Sequence, residues 1–213
     1  MRMNNSAAKI AVFYHVYQHG DWVQLVNEQL ELLQLSGLYD ACSFIHVGIN
    51  GDQAFPFKGN KIKVEYNPAP WLEETPTLNA LRVFCEQNEN WKILYFHTKG
   101  LTQKSLETTD WRKVMEYFCI ERWPDCIEKL NDHDTVGCLY VDTCYLGPYR
   151  YYGGNFWWSN SEYVRQLKHE YLQGGIRQNR EFWIGTGNGS MYSFLNTDLN
   201  HYISRFPRHN YAE

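Results

Sequence analysis

The run Ile93-Leu94-Tyr95-Phe96 is apolar enough to form a buried strand, and it ends in His97, Thr98, Lys99 and Gly100. Polar groups at the carboxyl end of a buried strand are where open α/β sheets hold ligands. A lysine ammonium there can neutralise a diphosphate as a point charge, and an imidazole can donate a hydrogen bond or ligate a metal. The same residues also fit an ordinary strand-end turn with a surface lysine. A second run, YYGGNFWWSNSEY (151–163), carries Gly153 and Gly154, which let backbone approach a ligand closely. Asn155 offers two donors and an acceptor suited to sugar hydroxyls. Trp157 and Trp158 point to opposite faces of a strand, so one can pack while Trp158 lines a pocket; both in the core is the alternative. In NREFWIG (179–185), Glu181 stands beside Phe182 and Trp183, where burial would raise its pKa toward the range of a general base. A salt-bridged surface glutamate is the alternative.

Weaker candidates surround these. Tyr14, His15 and Tyr17 end the first apolar run, where an aromatic ring can stack on a base or simply fill the core. Arg112, near a helix start, can face a phosphate or remain a solvated helix charge. Arg82 is a further candidate on the donor side. DHD at 132–134 is a literal D-x-D, but it follows a helix and precedes a strand, so it reads as a helix-terminating turn. GTGNGS (185–190) reads as a mobile loop or a substrate lid. The sequence holds no GxGxxG, no GxxxxGK[ST] and no GxSxG, which argues against a Rossmann dinucleotide site, a P-loop and an α/β-hydrolase triad. The six cysteines form no CxxC and read as reduced, mostly buried thiols.

The elements that must position these groups follow from periodicity. Strands are expected over 9–17, 42–49, 61–66, 93–97, 135–141 and 154–159. Helices are expected from Asp21 to Gly37, from a Thr75 cap with Pro76 in first position, over 108–123 with a bend or restart at Pro124, and from about Ser161. NREFWIG reads as helical or half-extended, and 190–213 as irregular. The alternation predicts a three-layer α/β sandwich with a mixed sheet, one domain over 1–213, and the chain can be the N-terminal module of a longer one. Of 213 residues, 44% are hydrophobic and 21% charged, as in a folded soluble protein. A net charge of −4 argues against a broad nucleic-acid-binding face. The 16% aromatic share favours a carbohydrate or nucleotide ligand. No signal peptide or membrane span is expected, so the expected location is cytoplasmic.

Taken in order, ILYFHTKG, DWRKVMEYF, GGNFWWSNSEYVRQL and REFWIG resemble a family of GT-A-type glycosyltransferases of large DNA viruses and some microbes. The family includes N-terminal domains of multidomain chlorella-virus enzymes that build capsid glycans. The resemblance spans roughly residues 9–185. It implies a GT-A-like sandwich, hexosyltransferase activity, a UDP-sugar donor, a glycan or glycoprotein acceptor and a divalent cation such as Mn²⁺. His97, Thr98 and Lys99 then fall where D-x-D would lie, Gly154 and Asn155 fall in the loop touching the donor sugar, and Glu181 falls near the base of an inverting enzyme. His97 is the candidate metal ligand, with His201 or His209 closing the site. A carbohydrate-binding module and a nucleotidyltransferase remain the alternatives.

Overall fold

Lys9–Tyr17 (β1) is buried at every position between its two ends, as a strand covered on both faces must be. The computed structural model to which it belongs describes residues 8–67 and 69–212; residues 1–7, where the reading of the N-terminus begins, lie outside them. Trp22–Leu35 (α1) follows β1, and Gly37, at φ 77°, turns the chain into the short helix Leu38–Ala41 (α2). Then come Phe44–Asn50 (β2), Ile62–Asn67 (β3), Thr75–Gln87 (α3) and Trp91–His97 (β4). Leu106–Glu116 (α4) runs through a π turn at Tyr117–Glu121 into Trp123–Lys129 (α5), so the helix expected over 108–123 restarts beside Pro124. The remaining elements are Thr135–Gly137 (β5), Tyr140–Val141 (β6), Tyr151–Tyr152 (β7), Trp157–Asn160 (β8), Ser161–Val164 (α6), Asn179–Phe182 (α7) and Met191–Ser193 (β9).

Seven strands form one sheet in the order β3-β2-β1-β4-β8-β5-β9. β1 to β4 pair in parallel, β8 is antiparallel to β4 and β5, and β9 is parallel to β5. One face packs Val12, Val47, Phe96 and Trp158 against α1, α4 and α5. The other packs Phe13, Tyr95 and Trp157 against Leu78 and Leu81 of α3 and Val164 of α6. This is the expected three-layer α/β sandwich with a mixed sheet. No helix among the described residues is long and apolar enough to cross a membrane.

Three local expectations are corrected. Thr75 does not cap α3: the cap position is Glu74, whose side chain makes no capping bond, and the Thr75 hydroxyl accepts from Arg180 Nε at 2.9 Å. Asp21 holds the cap position of α1 but its carboxylate turns to Lys104. The strand expected over 135–141 breaks at Leu139, whose φ of 59° divides β5 from β6, and β6 pairs with β7 in a separate sheet.

Candidate functional site

β2 and β3 extend the sheet to one side of β1, and β4 and β8 to the other, so the strand order reverses between β1 and β4. In open α/β sheets ligands bind at such a reversal, outside the carboxyl ends of the strands. His97 ends β4, and its register partner His15 lies two residues before the end of β1. Above them opens a cavity of about 640 Å³. Its walls are the start of α3, Trp111 of α4, the connection bearing β6 and β7, α7, and a tail segment ending in His201 and Tyr202.

Lys99 Nζ lies 3.7 Å from the centre of the Trp111 ring and 5.8 Å from that of Tyr202. The lysines that form ion pairs are Lys104 and Lys113; among the described residues Lys99 forms none. Its ammonium thus faces the cavity held by aromatic faces alone, an arrangement that leaves its charge open to an incoming anion. Burial lowers its pKa, and the charges of Glu181 and Glu74 act against that shift. Glu181 comes from the single turn of α7, and burial raises its carboxyl above the usual carboxylate range, as expected beside Phe182 and Trp183, while Lys99 opposes the rise.

Glu74 faces the same cavity in the opposite condition. Its Oε2 accepts from the Tyr95 hydroxyl at 2.6 Å and from Asn155 Nδ2 at 2.7 Å. Burial pushes its pKa up, but His97, His15 and these two bonds outweigh burial and hold it below the usual range. Burial lowers His15 to about 4, and His15 Nδ1 bonds the Thr77 hydroxyl at 2.9 Å, tying β1 to the first turn of α3. Burial also lowers His97, which bonds the Gly154 carbonyl through Nε2 at 2.9 Å. Gly154 is required there: at φ 93°, a Cβ would stand 2.5 Å from Met115 Sδ. Both residues flanking the Glu74 carboxylate in this web, Glu73 at φ 49° and Asn155 at φ 61°, have left-handed backbone, the kind of strain that folds retain at functional sites.

His15, Tyr17, His97, Thr98, Lys99, Gly154 and Glu181 therefore meet in one cavity, with His201 beside them. The Thr98 hydroxyl oxygen accepts from the Tyr17 amide at 3.0 Å, which fixes its position at the cavity. The other expected residues stand elsewhere. Tyr14 points to the opposite face of the sheet, where its ring stacks on Phe96 and its hydroxyl donates to Gln29. Arg82 pairs with Glu86 along α3, away from the cavity. Arg112 is buried against Glu116 at 3.1 Å and Glu28 at 3.6 Å, and borders a smaller cleft behind Lys99. Asn155 is fully buried, with its amide carbonyl accepting from Trp157 Nε1 at 2.8 Å, so it cannot touch a ligand directly. Trp158 is also core: its Nε1 donates to the Cys119 carbonyl. His209 is exposed and outside the cavity. DHD does close a turn, Asp134 accepting from the Ser190 amide. The 185–190 loop does not line the cavity, and the carbonyls of Gly187 and Gly189 accept from Arg150. The six cysteines are free thiols, five of them buried.

The residues present do not fit a protein-held divalent cation. Among the described residues no three His, Cys, Asp or Glu side chains gather as ligands. His97 has its Nε2 committed to a carbonyl, and the strand end that follows it carries the Lys99 ammonium rather than a carboxylate.

Sequence reading missed Glu74, Trp111, Arg177 and Tyr202, all at the cavity. One signal pointed to Glu74: an acidic residue directly before a Pro-bearing helix start, where the helix dipole favours negative charge. Nothing local marks the others.

The model of a family described as a domain of unknown function, DUF8361, matches residues 13–174. No curated protein shows a sequence match to the chain. Among solved structures, the bifunctional IspDF from Campylobacter jejuni is similar at 7% identity and a TM-score of 0.47, over 89% of this chain and 50% of that one. A 4-diphosphocytidyl-2C-methyl-D-erythritol synthase is similar at 12% identity and 0.45, over 87% of this chain and 88% of that one. The chain spans half the length of the first of these, and neither likeness carries an inference about activity.

Proposed function

The chain belongs to the DUF8361 family, and we propose that it is a glycosyltransferase moving a sugar from a UDP-sugar to a glycan acceptor, as the GT-A-type resemblance implies. One observation carries the reading: Lys99, an ammonium with no carboxylate partner among the described residues, and Glu181, a half-buried carboxylate, share one cavity at the reversal of the strand order. In the reaction the acceptor oxygen bonds to the anomeric carbon as the carbon–phosphate oxygen bond breaks. The acceptor's proton passes to Glu181, and the nucleoside diphosphate leaves with its charge offset by Lys99. Such fixed charge at the leaving group is the largest catalytic contribution expected of the site. Work on capsid glycans in the cytoplasm of an infected cell belongs to the same proposal and rests on the resemblance alone.

The test is Glu181→Gln. Turnover, read as UDP release, is expected to fall by about 10²–10⁴, the usual contribution of a general base, while calorimetric UDP binding persists. Undiminished turnover overturns the assignment of Glu181. Release of pyrophosphate in place of UDP replaces glycosyl transfer by nucleotidyl transfer.

A further inference from the structure

Glu74 stands at the cap position of α3, a helix of 13 residues, yet its carboxylate does not cap that helix. It is drawn instead toward the cavity, where Tyr95 and Asn155 both donate to Oε2. Oε1 takes no hydrogen bond among the described residues, although Glu74 lines the cavity. The arrangement is costly to build. Asn155 adopts a left-handed backbone, is fully buried, and is itself oriented by Trp157. Beside it, His97 bonds Gly154 and His15 bonds Thr77, tying β1, the end of β4, the start of α3 and the glycine loop to one another. A core that needed only to satisfy Tyr95 and Asn155 has no use for a charged acceptor with one oxygen left free.

We propose that Glu74 reads the donor's sugar, its free oxygen accepting hydrogen bonds from sugar hydroxyls while Asn155, the residue expected in that role, holds Glu74 in position. This deepens the glycosyltransferase reading and rests on it. Hydroxyls are the ligand groups that suit the site. A carboxylate held in its ionised form accepts from neighbouring hydroxyls in charge-assisted bonds. It repels phosphate, so Glu74 marks the sugar end of the donor, as Lys99 marks the diphosphate end. The depressed pKa of Glu74 agrees, since a group kept ionised is a poor proton acceptor. Proton transfer is thereby left to Glu181.

Glu74→Gln tests this directly. The amide oxygen can replace Oε2 and keep the bonds from Tyr95 and Asn155, while the NH₂ turns the free acceptor into a donor. Calorimetry on the native chain and the variant, with UDP and with UDP-glucose, UDP-galactose and UDP-N-acetylglucosamine, separates the outcomes. The native chain is expected to bind at least one UDP-sugar more tightly than UDP. The variant should bind UDP as the native chain does and lose about tenfold or more of that sugar's affinity, the scale of one charge-assisted hydrogen bond. Glu74→Asp, which keeps the charge and shortens the reach, should show the same selective loss and serves if the glutamine variant does not fold. A variant that binds the sugar nucleotide as tightly as the native chain overturns the assignment of Glu74, as does a native chain that gains nothing from the sugar; both leave the glycosyltransferase reading standing. A native chain that binds neither UDP nor any of the sugar nucleotides overturns that reading, and the role of Glu74 with it.

Discussion

Glu74 and Glu181 line one cavity, and the protein treats them in opposite ways. Glu74 sits on the floor, where two strand ends, a helix start and the glycine loop meet; hydrogen-bond donors and neighbouring imidazoles favour its anion over the cost of burial. Glu181 sits on the wall, on one turn of helix between loops; burial is the largest influence on both acids, but at Glu181 only the charges of Lys99 and Arg177 oppose it, with no hydrogen bond to the carboxylate among the described residues. A carboxylate with donors stays charged, and one without them takes up a proton more readily. Two acids in one site with pKa values pushed apart are divided between binding charge and moving protons. The floor is knit into the sheet, and the wall is tied to it through Arg180, which donates to Thr75, and through Trp183, which packs on Trp157.

The strongest way to break this comparison is Glu181→Gln, with its loss of turnover and retained UDP binding; a matching loss of UDP affinity would show that the wall, too, is a binding element. Next in size is Lys99→Met. Calorimetry should show UDP binding weakened about tenfold to a hundredfold, because one charge-assisted contact to phosphate is lost while a side chain of similar length replaces the ammonium over Trp111. Equal affinity would place the diphosphate elsewhere. Asn155→Ala strips one donor from Glu74 and an acceptor from Trp157, and alanine tolerates the left-handed backbone poorly. Urea unfolding should show a loss of about 1–3 kcal/mol, the cost of leaving buried partners unsatisfied. A stability unchanged by the substitution would mean that the floor is not held by this web.

The smallest expected effect is on pH. Glu181 must be ionised to accept a proton, and its pKa is raised, so activity should decline with falling pH from a point above the usual carboxylate range. Glu74 has the opposite sign for stability. Its folded pKa is depressed, so its contribution is complete above the unfolded value of about 4.3 and is lost as pH falls through that value toward the folded one. The stability difference between the native chain and Glu74→Gln should therefore shrink on acidification. A difference constant from neutral to acid pH would remove the charge from the account of the floor.

Much of this was legible in the chain itself. Apolar runs ending in His15 and His97 marked both strands of the floor, and the acid beside Phe182 and Trp183 marked a raised carboxyl. Asn155, Trp158, Arg112 and Tyr14 were misjudged for one reason. Residue type tells what a side chain can bond, but a buried neighbour decides what it does bond, and here Glu74, Cys119, Glu116 and Gln29 took those groups first.

The sequence by itself determined the layered α/β architecture, the order of its principal strands and helices, and the polar strand end that carries Lys99, because hydrophobic periodicity and chain-breaking residues act over a few positions. Only the tertiary structure decided which face of each strand a side chain joined. It alone brought Glu74 onto Tyr95 and Asn155, 21 and 81 positions away, and it alone set Lys99 over Trp111 with no carboxylate partner among the described residues. Contacts between residues so distant along the chain depend on how the sheet and helices pack together, and no local pattern encodes that.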